Sequence, residues 1–207
     1  MPKRLLLGIL ILLFIVIAYV ILSVGVIESV LLIPNRSSKV HQLEMAVQFN
    51  PPDVDYVLEE ISSPDWFVAS TALHYLEDLR KSDALSIEQS NKALNVVFEN
   101  LGERGHWWRF GWDKEEAQFN QFYSQVINTA SAFGSDLLPW LQIASQDSNP
   151  LRREAVCKII EQLPKDTVME ENDKFLESTR EIVQNLASSD PSALVMSTCS
   201  RVLGNPS

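Results

Sequence analysis

The chain is short of glycine, cysteine, histidine and basic residues. Seven Gly in 207 residues leave few positions for left-handed turns, and alternating β-branched runs are scarce. Both features weigh against a β-rich fold. Two cysteines, Cys157 and Cys199, give neither a metal-ligand spacing nor a disulfide framework. Each reads as a small buried side chain on a helix, and a bridge between them is open only if the domain faces an oxidising compartment. His41, His74 and His106 share no helical spacing that would hold a metal. No Gly-x-Ser-x-Gly, His-Glu-x-x-His or Gly-rich phosphate loop occurs. No catalytic residue, cofactor or metal is therefore assigned, and the chain reads as a non-enzyme.

Charge is absent altogether from Leu5 to Ile27, where only Gly8, Ser23 and Gly25 interrupt Leu, Ile, Val, Phe, Ala and Tyr. A bilayer core about 30 Å thick needs roughly 20 apolar helical residues to cross it, so this run predicts a transmembrane helix. A cleaved signal peptide is the alternative, because Ser23-Val24-Gly25 supplies small residues near its end. The apolar run exceeds the usual hydrophobic region of such a peptide, and it resumes at Val30-Leu31-Leu32-Ile33 before Pro34. A retained signal-anchor fits better. Lys3 and Arg4 abut the N-terminal side, whereas Arg36 and Lys39 lie further out beyond Glu28. The positive-inside bias predicts a single-pass protein with a cytoplasmic N-terminus and a periplasmic or lumenal domain.

That domain is acidic. All 27 Asp and Glu fall at or after Glu28, against 15 of the 17 Lys and Arg, so the domain carries −12 where the whole chain carries −10. So negative a surface repels nucleic acid and anionic head groups, and no nucleic-acid partner is expected.

The remainder reads as helices. Pro34 to Lys39 is a polar linker, and Val40 to Phe49 supports a short helix that ends at Asn50-Pro51-Pro52. Asp53 caps a helix carrying Val54, Val57, Leu58 and Ile61, and Ser62-Ser63-Pro64-Asp65 turns into another with Val68, Ala72, Leu73, Leu76 and Leu79. Ser86-x-x-Gln89 is a capping box ahead of Leu94, Val97, Phe98 and Leu101. The cleanest amphipathic stripe runs from Phe119 through Phe122, Tyr123, Val126, Ile127 and Ala130 to Phe133. A short helix through Leu138, Leu141 and Ile143 follows, then one opened by Pro150 and stopped by Pro164. Two more follow, carrying Phe175 to Leu186 and Leu194 to Leu203.

Three segments repeat a helix end, a Ser/Asp/Pro turn and an amphipathic helix: 58–76, 141–159 and 183–203. Superposing the turns aligns Val68 with Leu151 and Val195, Ala72 with Ala155 and Cys199, and Leu76 with Ile159 and Leu203. A small residue at mid-helix lets a neighbouring helix approach closely, and the large aliphatics four residues away fill the seam. Ala72 to Ala155 is about twice the step from Ala155 to Cys199, which leaves room for a diverged unit at 86–133. Paired helices at a stride of about 40–47 residues mark solenoid arrays.

On Ser63-Pro64-Asp65, Arg153-Glu154-Ala155-Val156 and Ser189-Asp190-Pro191, the chain resembles HEAT-repeat proteins. The middle unit carries the likeness best, since the first and third lack its Arg. The resemblance implies an all-α fold in which the N-terminal transmembrane helix precedes a short α-α superhelix of helical hairpins. The expected organisation is a signal-anchor at 1–33, a linker with a short helix at 34–52, and a HEAT-like domain at 53–207. It also implies a protein partner and no catalytic residues.

The sequence offers one sharp candidate contact. Arg104, His106, Trp107, Trp108, Arg109 and Trp112 crowd between Gly102 and Asp113. Trp and Arg dominate interface hot spots, so these residues would present a plate to a partner. The competing reading folds the rings between repeats as packing. Replacing all three Trp is expected to leave the chain folded but abolish partner binding; an unfolded variant assigns the rings to the core. The acidic run Glu170-Glu171-Asn172-Asp173, continuing to Glu177 and Glu181, reads as a solvated face or, more sharply, as a docking surface for a basic partner.

The expected function is that of a membrane-anchored protein–protein interaction scaffold touching the bilayer and an unidentified protein. The alternatives are a helical accessory subunit of a membrane complex and a membrane-tethered enzyme.

Overall fold

A computed structural model describes residues 36–101, 112–163 and 173–204, with the side chains of 112–118 and 173 outside that description. The expected anchor, Leu5 to Ile27, lies outside the described residues. Among those described, no helix is long and apolar enough to cross a membrane, and every regular element is helical. The chain divides into two units, Met1–Gln42 and Leu43–Ser207. Helix α1 covers residues 36–48, and in the second unit its Leu43 and Ala46 are buried.

The second unit continues with α2 (Val54–Ile61), α3 (Trp66–Lys81), α4 (Ile87–Glu99) and α5 (Trp112–Ser131). A 3-10 turn, Gly134–Leu137, leads into α6 (Leu138–Ser145), α7 (Pro150–Gln162), α8 (Asp173–Ser189) and α9 (Ala193–Gly204). Four of these starts, those of α2, α3, α4 and α7, carry a side-chain cap. The carboxylate of Asp53 accepts the Tyr56 N–H and that of Asp65 the Phe67 N–H. Ser86 and Gln89 form the reciprocal capping box, while Asn149 accepts from Leu151 ahead of Pro150. Such caps satisfy N–H groups that have no partner within the helix. Gly134 takes a positive φ of 59°, which glycine adopts at no steric cost, and there the chain leaves α5 for the 3-10 turn.

Successive helices pair as α2/α3, α4/α5, α6/α7 and α8/α9. The second helices of the pairs pack in chain order, α3 on α5, α5 on α7 and α7 on α9; the first helices follow the same order, α2, α4, α6, α8. Two rows of helices result. The core between them includes Ile61, Leu73, Leu76, Leu94, Phe122, Phe133, Leu141 and Ile159, all fully buried. Each such side chain contributes about 1.5–3 kcal/mol of hydrophobic stabilisation.

Ala72, Ala155 and Cys199 are all fully buried, on α3, α7 and α9. Close approach is visible at the first of these seams, where the buried Thr129 hydroxyl of α5 donates to the Leu73 carbonyl of α3 at 3.1 Å. One aligned aliphatic and one other stripe residue depart from the expectation. Leu203, 39% exposed, stands in the last turn of α9 beside Gly204. Ile143, expected on the stripe of α6, is 68% exposed. The buried residues of α6 are Leu141 and Ala144, and Ile143, two residues from Leu141 and about 200° around the helix, falls on the opposite face.

The cysteines are buried as read, but they are also joined. Cys157 of α7 and Cys199 of α9 form a disulfide with Cα atoms 5.3 Å apart.

Candidate functional site

Three consecutive residues near the start of α7, Arg152, Arg153 and Glu154, connect it to the end of α4, to α5, to α9 and to the turns before α7 and α9. Arg152 donates to the Leu101 and Glu99 carbonyls at the end of α4, at 2.7 and 3.0 Å, and to Asp147 at 3.0 Å. Arg153 forms a fork with Asp190: Nε lies 2.6 Å from Oδ2, and Nη2 lies 3.0 Å from Oδ1. Its Nη1 donates to the Asp147 and Ser148 carbonyls at 2.6 and 3.0 Å. The turn before α7 is thereby fastened to the turn before α9. Glu154, buried, accepts from Thr198 of α9 and from Lys158. The Tyr123 hydroxyl of α5 donates toward Glu154 at 3.3 Å and the Leu151 carbonyl at 2.9 Å.

The electrostatics follow from these contacts. The Arg153 fork holds the Asp190 carboxyl below the usual range, with the Ser192 N–H helping and burial opposing. Burial pushes Asp147 upward, but the Asn149 N–H and the neighbouring Arg152 outweigh it and hold that carboxyl low as well. Burial, then the Glu154 charge, drive the Tyr123 hydroxyl well above the ordinary phenol value. Tyr123 is thus a neutral donor, and both arginines have their charge answered within the protein.

Above the Arg153–Asp190 pair lies a trough of 640 Å³ between α6 and α8, within the range of about 300–1,000 Å³ typical of ligand sites. Gln142, Ser145 and Gln146 line one wall. Ser178, Glu181, Ile182, Asn185, Leu186 and Ser189 line the other, at helical spacing along one face of α8. The Ser145 and Ser189 hydroxyls donate to the Gln142 and Asn185 carbonyls of their own helices. Side-chain amides therefore supply most of the unused hydrogen-bonding capacity. Glu181 is the one charged lining residue without an ionic partner among the described residues.

Compared with family models, curated proteins and solved structures, the chain matches none.

Of the residues expected to contact a partner, Arg104, His106, Trp107, Trp108 and Arg109 lie outside the described residues. Trp112 begins α5, but its side chain is likewise outside the description. Glu170, Glu171 and Asn172 of the acidic run also lie outside, while Glu181 reaches the trough. Sequence reasoning did not find Gln142, Gln146 or Asn185. Their signal is a polar face at helical spacing, which a solvated surface shows equally. Among the described residues, no group of three or more His, Cys, Asp or Glu could hold a metal ion.

Proposed function

We propose that the chain is a membrane-tethered, non-catalytic interaction module: a short HEAT-like α-solenoid held beside the bilayer by the Leu5–Ile27 run, with its domain on the non-cytoplasmic side. The observation that carries this reading is the pair of helix rows, in which consecutive hairpins stack in chain order. Stacked hairpins present long continuous faces, the surfaces such arrays use to grip other polypeptides. Arg153 adds support, because it ties the turn of one hairpin to the turn of the next. The Cys157–Cys199 bridge supports the placement, since disulfides persist in oxidising compartments and are rare in the cytosol. Tethering raises the local concentration of the module around any partner in the same membrane.

Cross-linking the full chain in its native membranes tests the reading. A discrete adduct with one protein, lost when the domain is unfolded, is expected. Recovery of the chain only as itself, with an intact fold, would sink the proposal.

A further inference from the structure

We propose that the trough between α6 and α8 binds an extended polypeptide segment of about five residues, with one Lys or Arg of that segment paired to Glu181. The proposal rests on the interaction-module reading and names the chemistry of its partner.

Shape is the first argument. The lining residues of α8 run from Ser178 to Ser189 along one helical face. At a rise of about 1.5 Å per residue that face is roughly 16 Å long. An extended chain advances about 3.3 Å per residue, so about five residues fill it. The α6 wall, Gln142 to Gln146, is roughly 6 Å long, so the segment runs along α8 and is flanked on both sides over about two of its residues.

Hydrogen bonding is the second. Gln142 and Gln146 on one wall, and Asn185 on the other, each offer an amide donor and an amide acceptor. The peptide backbone carries the same pair at every residue. The hydroxyls of Ser145 and Ser189, already donating inward, can still accept. Ile182, half-buried, adds an apolar contact for one side of the bound segment.

Charge is the third. Arg153 is consumed by Asp190 and two carbonyls, and Asp147 is answered by Arg152. Glu181 is therefore the unbalanced charge in the trough among the described residues. A domain at −12 reinforces the selection of a cationic side chain.

The test uses the full chain in detergent and three pools of fluorescein-labelled hexapeptides, random in Ala, Ser, Thr and Val. The pools carry Lys, Glu or norleucine at the fourth position, and binding is read by fluorescence polarisation. The Lys pool is expected to bind at least tenfold more tightly than the Glu pool. Glu181→Gln should bring the Lys pool down to the norleucine level, and Glu181→Lys should reverse the preference toward Glu. A Gln142→Leu/Asn185→Leu variant should weaken all three pools alike, about tenfold or more. These positions are exposed, so each variant should keep the helical circular dichroism of the parent. Equal binding of the Lys and Glu pools, no saturable binding, indifference to Glu181→Lys, or displacement of the Lys pool by chitotetraose would each overturn the assignment. The two readings fail separately. If the cross-linked partner is still captured by the Gln142/Asn185 and Glu181 variants, the module stands and the trough falls. If the wild type neither captures a partner nor binds peptide, both fall.

Discussion

Replacing Cys157 and Cys199 together by alanine is expected to cost about 4 kcal/mol of stability, read as a lowered urea midpoint for the full chain in detergent. The two half-cystines are 42 residues apart. Closing a loop of that length removes unfolded-state entropy worth about 4 kcal/mol at 25 °C. A typical domain is stable by only about 5–15 kcal/mol, so the loss is a large share of the total. The double variant is the informative one, because a single replacement leaves a buried thiol. Since the constraint acts mainly on the unfolded chain, the folded helical spectrum should not change. Isolation from membranes without reductant should yield a chain whose cysteines resist alkylation by maleimide even when denatured, and accept it after reduction. A loss below about 1 kcal/mol, or free alkylation without reduction, would show that the bridge does not hold α7 to α9 in the native protein.

Arg153→Met is expected to destabilise by about 3–5 kcal/mol, the cost of leaving one member of a buried ion pair unanswered. Asp190 is almost wholly shielded from solvent, its side chain only 2% exposed. Without the guanidinium its carboxylate keeps only the Ser192 N–H among the partners described above. Removing both charges, as Arg153→Met/Asp190→Leu, should recover much of the loss, because two apolar side chains need no answering charge. The pair also has an acid signature. The Asp190 carboxyl lies below its unfolded value of about 3.9, so its contribution is fully present above that value and is lost as pH falls through the lower folded one. Wild-type stability should therefore drop as pH is lowered from about 4, and Arg153→Met should flatten that part of the profile. An unchanged urea midpoint in Arg153→Met would remove the joint from the account of what holds the last two hairpins together.

Local features of the fold were legible in the residues. Asp53, and Ser86 with Gln89, announce helix starts through contacts that span three positions, and Pro150 opens α7. The small residues Ala72, Ala155 and Cys199 stood out by periodicity, and all three are fully buried. What escaped depends on which helices become neighbours. The Cys157–Cys199 bridge requires α7 and α9 to lie side by side with both sulfurs turned inward, which no spacing announces. Arg153 was visible as a motif residue, but its partner Asp190 lies 37 positions later, in what looked like an ordinary Ser-Asp-Pro turn. The trough escaped for a different reason. Gln142, Gln146 and Asn185 sit on outward faces, and a polar outward face has one appearance whether it meets water or a ligand. Ile143 shows the reverse error: its apolarity suggested the core, but it stands two residues from the buried Leu141, about 200° around the helix and so on the opposite face.

The fastenings along the two rows are uneven. The final hairpins share a covalent bridge and an enclosed ion pair, whereas the first two meet through apolar packing, the Thr129 hydrogen bond and exposed pairs such as Arg80 with Asp136. A mechanical load entering from the N-terminal side would strip α2 and α3 away first, and it would stop at the stapled end, leaving α7 and α9 clasped as a remnant from which the rest can wind back.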